Sequence, residues 1–170
     1  MIENAFLLLQ KELQEHFLAI DPSATVVIDN IGMLGTASGD GLSNNIVLTL
    51  VDTEERAAWQ NILRRFFGLN TSLGTARDPL NLYILFTSNY TGISYQKGLS
   101  RLDHIIRFFQ NKTLFSASSV GTTAIANAVD LRFTLEYYPL GLKKANQLWG
   151  SLGGRQMPFV MYKLRFVSEN

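Results

Sequence analysis

The run Ile46-Val-Leu-Thr-Leu-Val51 constrains the fold more than any other part of the sequence. Its apolar and β-branched residues occupy both odd and even positions, whereas a strand with one solvated face alternates apolar and polar residues. Such a run is typical of a central strand that is covered on both faces. Residues 80–87 predict a second buried strand. Its two faces carry Leu80, Leu82, Ile84 and Phe86 on one side and Tyr83 and Leu85 on the other.

Three segments have the spacing of amphipathic helices, in which apolar residues recur every three or four positions. The first starts at Ile2 and ends before Asp21-Pro22, because a residue that precedes proline avoids the helical conformation. The third covers residues 142–152 and ends at Gly153-Gly154, which suits a left-handed cap. The second is the most regular, with apolar residues at Tyr95, Leu99, Leu102, Ile106 and Phe109.

Shorter strands complete the predicted sheet. We expect them at residues 24–28, 129–138 and 159–167, with polar and small residues in loops at 32–45 and 116–128. No linker divides the chain and no internal repeat is visible, so residues 1–170 are predicted to form one domain. The predicted class is α/β of the α+β type, with one mixed, mainly antiparallel sheet that is flanked by helices.

Residues 52–79 fit this pattern least well. Trp59, Phe66 and Phe67 have helical spacing after Glu54-Glu55, whereas residues 68–78 have the composition of a loop. We interpret the segment as a projecting arm with a short helix.

Charge and composition exclude several functions. Fifteen Lys and Arg against fourteen Asp and Glu give a net charge of +1 without a basic run, so neither nucleic acid nor an anionic membrane is an expected partner. No apolar stretch approaches the roughly 20 residues that span a bilayer, and the start lacks the basic and apolar regions of a signal peptide. Because the chain has no cysteine, it forms no disulfide and has no thiolate chemistry. We expect it to fold in the cytoplasm.

Candidate catalytic groups are few. His16 and His104 are the only histidines, and Asp103 beside His104 does not face it on a helix. Glu54 and Glu55 fit a helix start or an arm contact as well as acid–base chemistry. The glycines between Gly35 and Gly41 lack the Lys-Ser or Lys-Thr of a phosphate loop. We therefore predict that the protein is not an enzyme and that it has neither a cofactor nor a metal site.

Large aromatic side chains indicate contacts with other proteins. Trp59, Phe66 and Phe67 lie on the predicted arm, and Trp149 lies shortly before the double glycine. Such residues anchor many interfaces, although each also fits ordinary core packing. Charged residues of the arm supply the polar contacts of the same predicted interface. Together the predicted contact residues are Glu54, Glu55, Arg56, Trp59, Arg64, Arg65, Phe66, Phe67 and Trp149.

Six segments in this order and spacing resemble the cap, or tail-terminator, proteins of phage-tail-like extracellular contractile injection systems. The resemblance covers nearly the whole chain. The segments are Met1-Ile-Glu-Asn-Ala-Phe, Ile46-Val-Leu-Thr-Leu-Val-Asp-Thr-Glu-Glu-Arg56, Pro79-Leu-Asn-Leu-Tyr-Ile-Leu-Phe-Thr-Ser-Asn-Tyr90, Ile105-Ile-Arg-Phe-Phe-Gln-Asn-Lys112, Asn146-Gln-Leu-Trp-Gly-Ser-Leu-Gly-Gly154 and Pro158-Phe-Val-Met-Tyr-Lys-Leu-Arg165.

The resemblance implies a homohexameric ring that sits on the last layer of inner tube and sheath. It implies that an open edge of the sheet receives the last free sheath strand, and that the arm joins subunits or contacts the tube. Residues 57–67 look helical, whereas the arm of the family is usually extended and polar. Particle assembly is expected in the cytoplasm, followed by release or membrane anchoring. Two alternatives stay open, namely another tail-completion or adaptor component and a module that binds a small ligand or glycan.

Overall fold

The computed structural model describes residues 1–55, 80–117 and 131–167. Three α-helices in these ranges are α1 (Ile2–Ile20), α2 (Tyr95–Asn111) and α3 (Leu142–Ser151). Short 3-10 helices cover Ile31–Met33, Ala37–Leu42 and Gly92–Ser94. The strands are β1 (Val26–Ile28), β2 (Asn45–Glu55), β3 (Leu80–Asn89), β4 (Leu114–Ser116), β5 (Arg132–Tyr137) and β6 (Phe159–Phe166).

These strands form one six-stranded sheet with the order β1-β2-β3-β6-β5-β4. β1 is parallel to β2, and every other neighbouring pair is antiparallel. The sheet is therefore mixed and mainly antiparallel, which confirms the predicted fold class. β2 and β3 lie inside the sheet, as the apolar runs on both of their faces predict.

The larger hydrophobic core lies between one face of the sheet and helices α1 and α2. Leu48 of β2 and Phe86 of β3 face it, as do Leu9 and Phe17 of α1 and Phe109 of α2. Alternate residues of each strand point into this layer because the side-chain period of a strand is two.

The opposite face carries a smaller core under α3. Val47, Leu85 and Met161 contribute from the strands, and Trp149 contributes from α3. The remainder of this face carries polar side chains, including Glu54 and Lys163. Both faces of the sheet are thus covered, but unequally.

The helices lie where the sequence predicts them, and Gly153 and Gly154 after α3 have positive φ angles of 99° and 77°. The buried face of α2 differs from the predicted one. Tyr95 and Leu99 are exposed, whereas Gly98 and Arg101 are buried. Gly98 is in close contact with Tyr90, where an added Cβ atom would lie 2.9 Å from the Tyr90 Cβ.

Arg101 is buried because partners from the end of α1 neutralise it. Its guanidinium lies 2.7 Å from the Asp21 carboxylate and donates a 2.7 Å hydrogen bond to the Ser23 hydroxyl. A charged side chain can be buried when it is paired in this way. Periodicity within α2 contains no information on such partners.

Residues 52–55, which the sequence analysis assigns to the predicted arm, belong to β2 instead. A β-bulge between Leu50 and Asp52 shifts the register, after which Asp52, Glu54 and Glu55 pair with Tyr83, Asn81 and Leu80. Arg56 and the rest of the predicted arm, including Trp59, Arg64, Arg65, Phe66 and Phe67, lie outside the described residues.

Two smaller expectations also change. The predicted loop at 32–45 contains the 3-10 helix Ala37–Leu42, and the short strand β4 was not predicted. Gly39 is required in that 3-10 helix, since an added Cβ atom would lie 2.1 Å from the Met33 carbonyl oxygen. Gly39 therefore allows this tight turn to form.

Candidate assembly interface

The outer edge of β2 is only partly paired within the described part of the chain. β1 pairs with Ile46, Val47 and Leu48, whereas β2 continues to Glu55. Its other edge is bonded to β3 along nearly the whole length. An edge without a partner strand presents backbone donors and acceptors to another chain.

Thr49 turns the chain away from this edge. Its hydroxyl donates a 2.7 Å hydrogen bond to the Asp29 carbonyl and accepts a 3.0 Å hydrogen bond from the Ile31 backbone N–H. The chain leaves the sheet here and enters the 3-10 helix Ile31–Met33. A side-chain hydroxyl thus takes the place of further strand pairing.

A groove of about 810 Å³ lies over the exposed edge. Its floor is the β2 segment from Leu48 to Val51. One wall is the first two turns of α1, and the other is the end of α3. Its lining is mainly apolar, with polar atoms from Glu3, Asp29, Asn30, Thr49 and Ser151. We refer to this feature as the edge groove.

Three aliphatic side chains of the edge groove remain in contact with solvent. Leu7 is 37% exposed, Ile28 is 38% exposed and Leu50 is 39% exposed. They come from α1, β1 and β2 and lie along the same groove. Unpaired backbone flanked by apolar side chains fits an extended peptide, which takes affinity from main-chain pairing and selectivity from its side chains.

Glu54 lies further along β2 and binds side chains of β3 and of β6, the next strand but one. One of its carboxylate oxygens accepts hydrogen bonds from Lys163 Nζ at 2.8 Å, Tyr83 Oη at 2.9 Å and Asn81 Nδ2 at 3.2 Å. The Lys163 hydrogen bond, followed by those of Tyr83 and Asn81, lowers the pKa of Glu54 to about 2. Reciprocally, the Glu54 carboxylate raises the pKa of Lys163. Glu54 therefore joins β2, β3 and β6 within the protomer.

The other predicted contact residues are placed as follows. Glu55 is the last residue of β2 and pairs with Leu80. Trp149 is 3% exposed and packs on Phe159, with ring centroids 5.6 Å apart, which matches the core alternative. Leu148 and Leu152 beside Trp149 line the edge groove.

The two histidines are closer together than the sequence indicates. His16 and His104 meet between α1 and α2, with ring centroids 6.4 Å apart. Burial and then the charge of His104 lower the pKa of His16. In the described ranges no three His, Cys, Asp or Glu side chains cluster in a way that would hold a metal ion.

Sequence reasoning missed the edge groove itself. The one available signal was the difference in length between the predicted strand at 24–28 and the longer apolar run that starts at Ile46. The walls come from residues near 5 and near 150, and no local pattern relates these segments. Among the described helices, none has the length and apolarity that a membrane span requires.

Two solved structures share this fold. One is the sheath/tube terminator of the extracellular contractile injection system PVC in its extended state, with a TM-score of 0.54 and 12% identity over 100% of this chain and 57% of that chain. The other is the tube-terminating cap of the anti-feeding prophage, with a TM-score of 0.56 and 13% identity over 98% of this chain and 55% of that chain. This chain thus spans a little over half the length of each structure.

Comparison with curated protein sequences finds no match. A family model does match. It describes the Pvc16 N-terminal domain and covers residues 7–169, which include all six described strands and α1 from Leu7 onward. The chain therefore belongs to the Pvc16 N-terminal domain family.

Proposed function

We propose that this chain is a structural cap, or tail terminator, of a contractile injection particle, and that it forms a hexameric ring that ends polymerisation of the inner tube and sheath. The observation that carries the proposal is the fold shared with a sheath/tube terminator and with a tube-terminating cap. Membership of the Pvc16 N-terminal domain family supports the same role.

The edge groove provides a contact for the sheath on this proposal. An extended sheath strand pairs with β2 beyond Leu48 and continues the line that β1 leaves at Asp29. One side of the strand then contacts Phe6 of α1, and the other contacts Leu152, which follows α3. Because most of the bonding is between main chains, the contact tolerates variation in the sheath sequence.

A ring ends growth because its two faces differ. The face that contacts the tube is complementary to the last tube layer, and the opposite face contains no copy of that surface, so no further layer can add. Glu55, Arg56 and the predicted arm residues Trp59, Arg64, Arg65, Phe66 and Phe67 are proposed to contact neighbouring subunits or the tube. Glu54 is proposed to position this end of β2, and Trp149 to support the α3 wall.

The proposed partners are other copies of this chain, the tube protein and the sheath protein. Neither a cofactor nor nucleic acid takes part, and the protein catalyses no reaction. Assembly takes place in the cytoplasm, and the finished particle is released or held at a membrane.

Deletion of the gene tests the proposal. We expect overlong or unstable tubes and sheaths in electron micrographs, and restoration of normal length by the wild-type chain supplied in trans. Purified chain is expected to form six-fold rings, measured by mass and by particle averages. An unchanged length distribution in the deletion strain contradicts the terminator role.

A ligand-binding module is a second candidate because the volume of the edge groove, about 810 Å³, lies within the range of small-molecule sites. A thermal-shift screen of sugars and small apolar ligands distinguishes a ligand-binding module from a cap. Stabilisation by such a ligand favours the module, whereas stabilisation by a peptide of the sheath strand favours the cap. A related adaptor or tail-completion role predicts purified protein without six-fold symmetry.

A further inference from the structure

Helices α1 and α2 meet at an aromatic cluster that contains both histidines of the chain. The His16 ring lies 4.7 Å from the Phe108 ring and 6.4 Å from the His104 ring, and the His104 ring lies 6.3 Å from Phe17. His16 Nε2 is buried and has no hydrogen-bond partner in the described part of the chain. One nitrogen of the His16 ring is thus buried among aromatic side chains without a hydrogen bond.

Charged groups around this cluster are already engaged with each other. On α1, Glu12 binds Lys112 at 2.6 Å and Glu15 lies 3.8 Å from Lys11. On α2, Asp103 binds Arg107 at 2.9 Å. Beyond the end of α1, Asp21 binds the buried Arg101.

Among the described residues, the titratable side chains of the larger core are Tyr90, which follows β3, and Tyr162 of β6. Burial raises the pKa of both phenols, to about 12 for Tyr162. Both tyrosines are therefore neutral at physiological pH. If both histidines take up a proton, two like charges face each other at this contact without a carboxylate bound to either ring.

We propose that the His16–His104 contact is an acid-sensitive latch, which holds the second half of α1 against α2 at neutral pH and loosens it at mildly acidic pH. The direction of the pH effect follows from the pKa of His16. Its pKa is below the ordinary value of 6.5 in the folded protein, so its contribution to stability is complete above pH 6.5. That contribution is lost as pH falls from 6.5 toward the lowered folded value.

Ion pairs lie on both sides of the latch, and the pKa of Asp21 is lowered from its ordinary value, first by the hydrogen bond from Ser23. The Glu12–Lys112 and Asp21–Arg101 pairs therefore hold α1 in place while the contact between them opens. This inference does not depend on the cap function, because it concerns a contact inside one protomer.

The composition of the chain makes the test direct. Two histidines and no cysteine leave His16 and His104 as the only side chains that ordinarily titrate near pH 6.5. NMR of a histidine-labelled full-length sample resolves both titrations. We expect the pKa of His16 to lie below that of an ordinary histidine. In His104→Gln we expect the pKa of His16 to move toward the ordinary value, because the positive charge that His104 can carry is absent.

Opening is measured by hydrogen exchange in the second half of α1 at about pH 7.5 and about pH 5.5, after correction for intrinsic exchange. We expect exchange in the wild type to rise by at least about threefold at the lower pH, the factor expected for two unit charges at this distance even in water. His16→Gln/His104→Gln should remove most of this rise. If that variant does not fold, His16→Phe keeps an aromatic ring and serves in its place.

Two results overturn the proposal. In one, His16 titrates identically with and without His104. In the other, the pH response of α1 exchange is the same in the wild type and in the variant without titratable rings. The Arg107→Gln variant is the matched control, since it changes a charge beside His104 without removing an imidazole, and it should retain the acid response.

Discussion

The two halves of β2 differ in their burial and in the number of described strands that pair with them. In the first half, Ile46 and Leu48 face the larger core and Val47 faces the smaller one, with a strand on either side. In the second half, Leu50 is partly exposed, a bulge interrupts the register and only β3 is paired along the described chain. The first half is thus paired on both edges, whereas the outer edge of the second half has no partner strand among the described residues.

Leu48→Ala is the most severe test of this division. Leu48 is fully buried, so truncation removes apolar contacts and leaves a cavity, and we expect a loss of about 2–5 kcal/mol in the free energy of unfolding. Leu50→Ala makes the same change in the second half and should cost under about 1 kcal/mol. Urea denaturation of both variants measures the difference, and equal losses would contradict the division.

Thr49→Val tests the boundary between the halves. The substitution keeps the shape of the buried side chain but removes the hydroxyl that bonds Asp29 and Ile31, leaving a buried backbone N–H without its partner. We expect destabilisation of about 1–3 kcal/mol by urea denaturation. Thr53→Val is the matched control on the exposed second half, and it should differ little from the wild type.

Glu54→Gln tests whether the charged carboxylate of Glu54 stabilises the second half of β2. The pKa of Glu54 is about 2 in the folded protein against an ordinary 4.5, so its stabilising effect is present above pH 4.5 and is lost as pH falls toward 2. The variant should be slightly less stable than the wild type at neutral pH, and the difference should vanish at the acidic end. Thermal unfolding across this pH range measures it.

Glu136→Gln is the control for this pH dependence, since it removes a carboxylate that binds Arg165 on the same sheet. Its thermal unfolding over the same range shows the effect of removing one exposed carboxylate from the sheet, and the Glu54→Gln result is compared with it. A Glu54→Gln variant whose difference from the wild type is constant from neutral to acidic pH would show that Lys163, Tyr83 and Asn81 do not stabilise the carboxylate.

Leu50→Lys should have the smallest effect on the folded protomer, within about 0.5 kcal/mol, and a large effect on assembly. A lysine places a strongly hydrated charge in the edge groove, where the proposed sheath strand packs. Co-sedimentation with sheath measures the expected loss of association. Leu142→Lys, on an 81% exposed residue outside the groove lining, should sediment as the wild type does.

Sequence periodicity predicted most helices and strands because each depends on local spacing. The apolar stripe from Ile2 to Phe17 is a property of α1 alone, and the alternation in β3 separates its two faces before any neighbour is known. The failures involve distant partners. Arg101 is buried because Asp21, 80 positions away, accepts its hydrogen bond, and the four residues after Val51 stay in β2 because Leu80–Tyr83 pair with them.

The candidate site was even less accessible to sequence reasoning. The Glu54 prediction named a contact residue, and the structure shows that its carboxylate binds Lys163, 109 positions later. For Trp149 the sequence left both core and interface open, because a large aromatic residue serves either role and only its burial in this fold distinguishes them.

By itself the sequence determined a central strand covered on both faces, the amphipathic helices that cover it and a composition with two histidines and no cysteine, since these follow from local residue order and composition. Only the tertiary structure decided that β1 stops after Ile28, that β2 continues beyond it, and that the ends of α1 and α3 enclose the exposed edge. The reason is physical: an open edge is a missing hydrogen-bonded neighbour, and a neighbour is defined in space rather than along the chain.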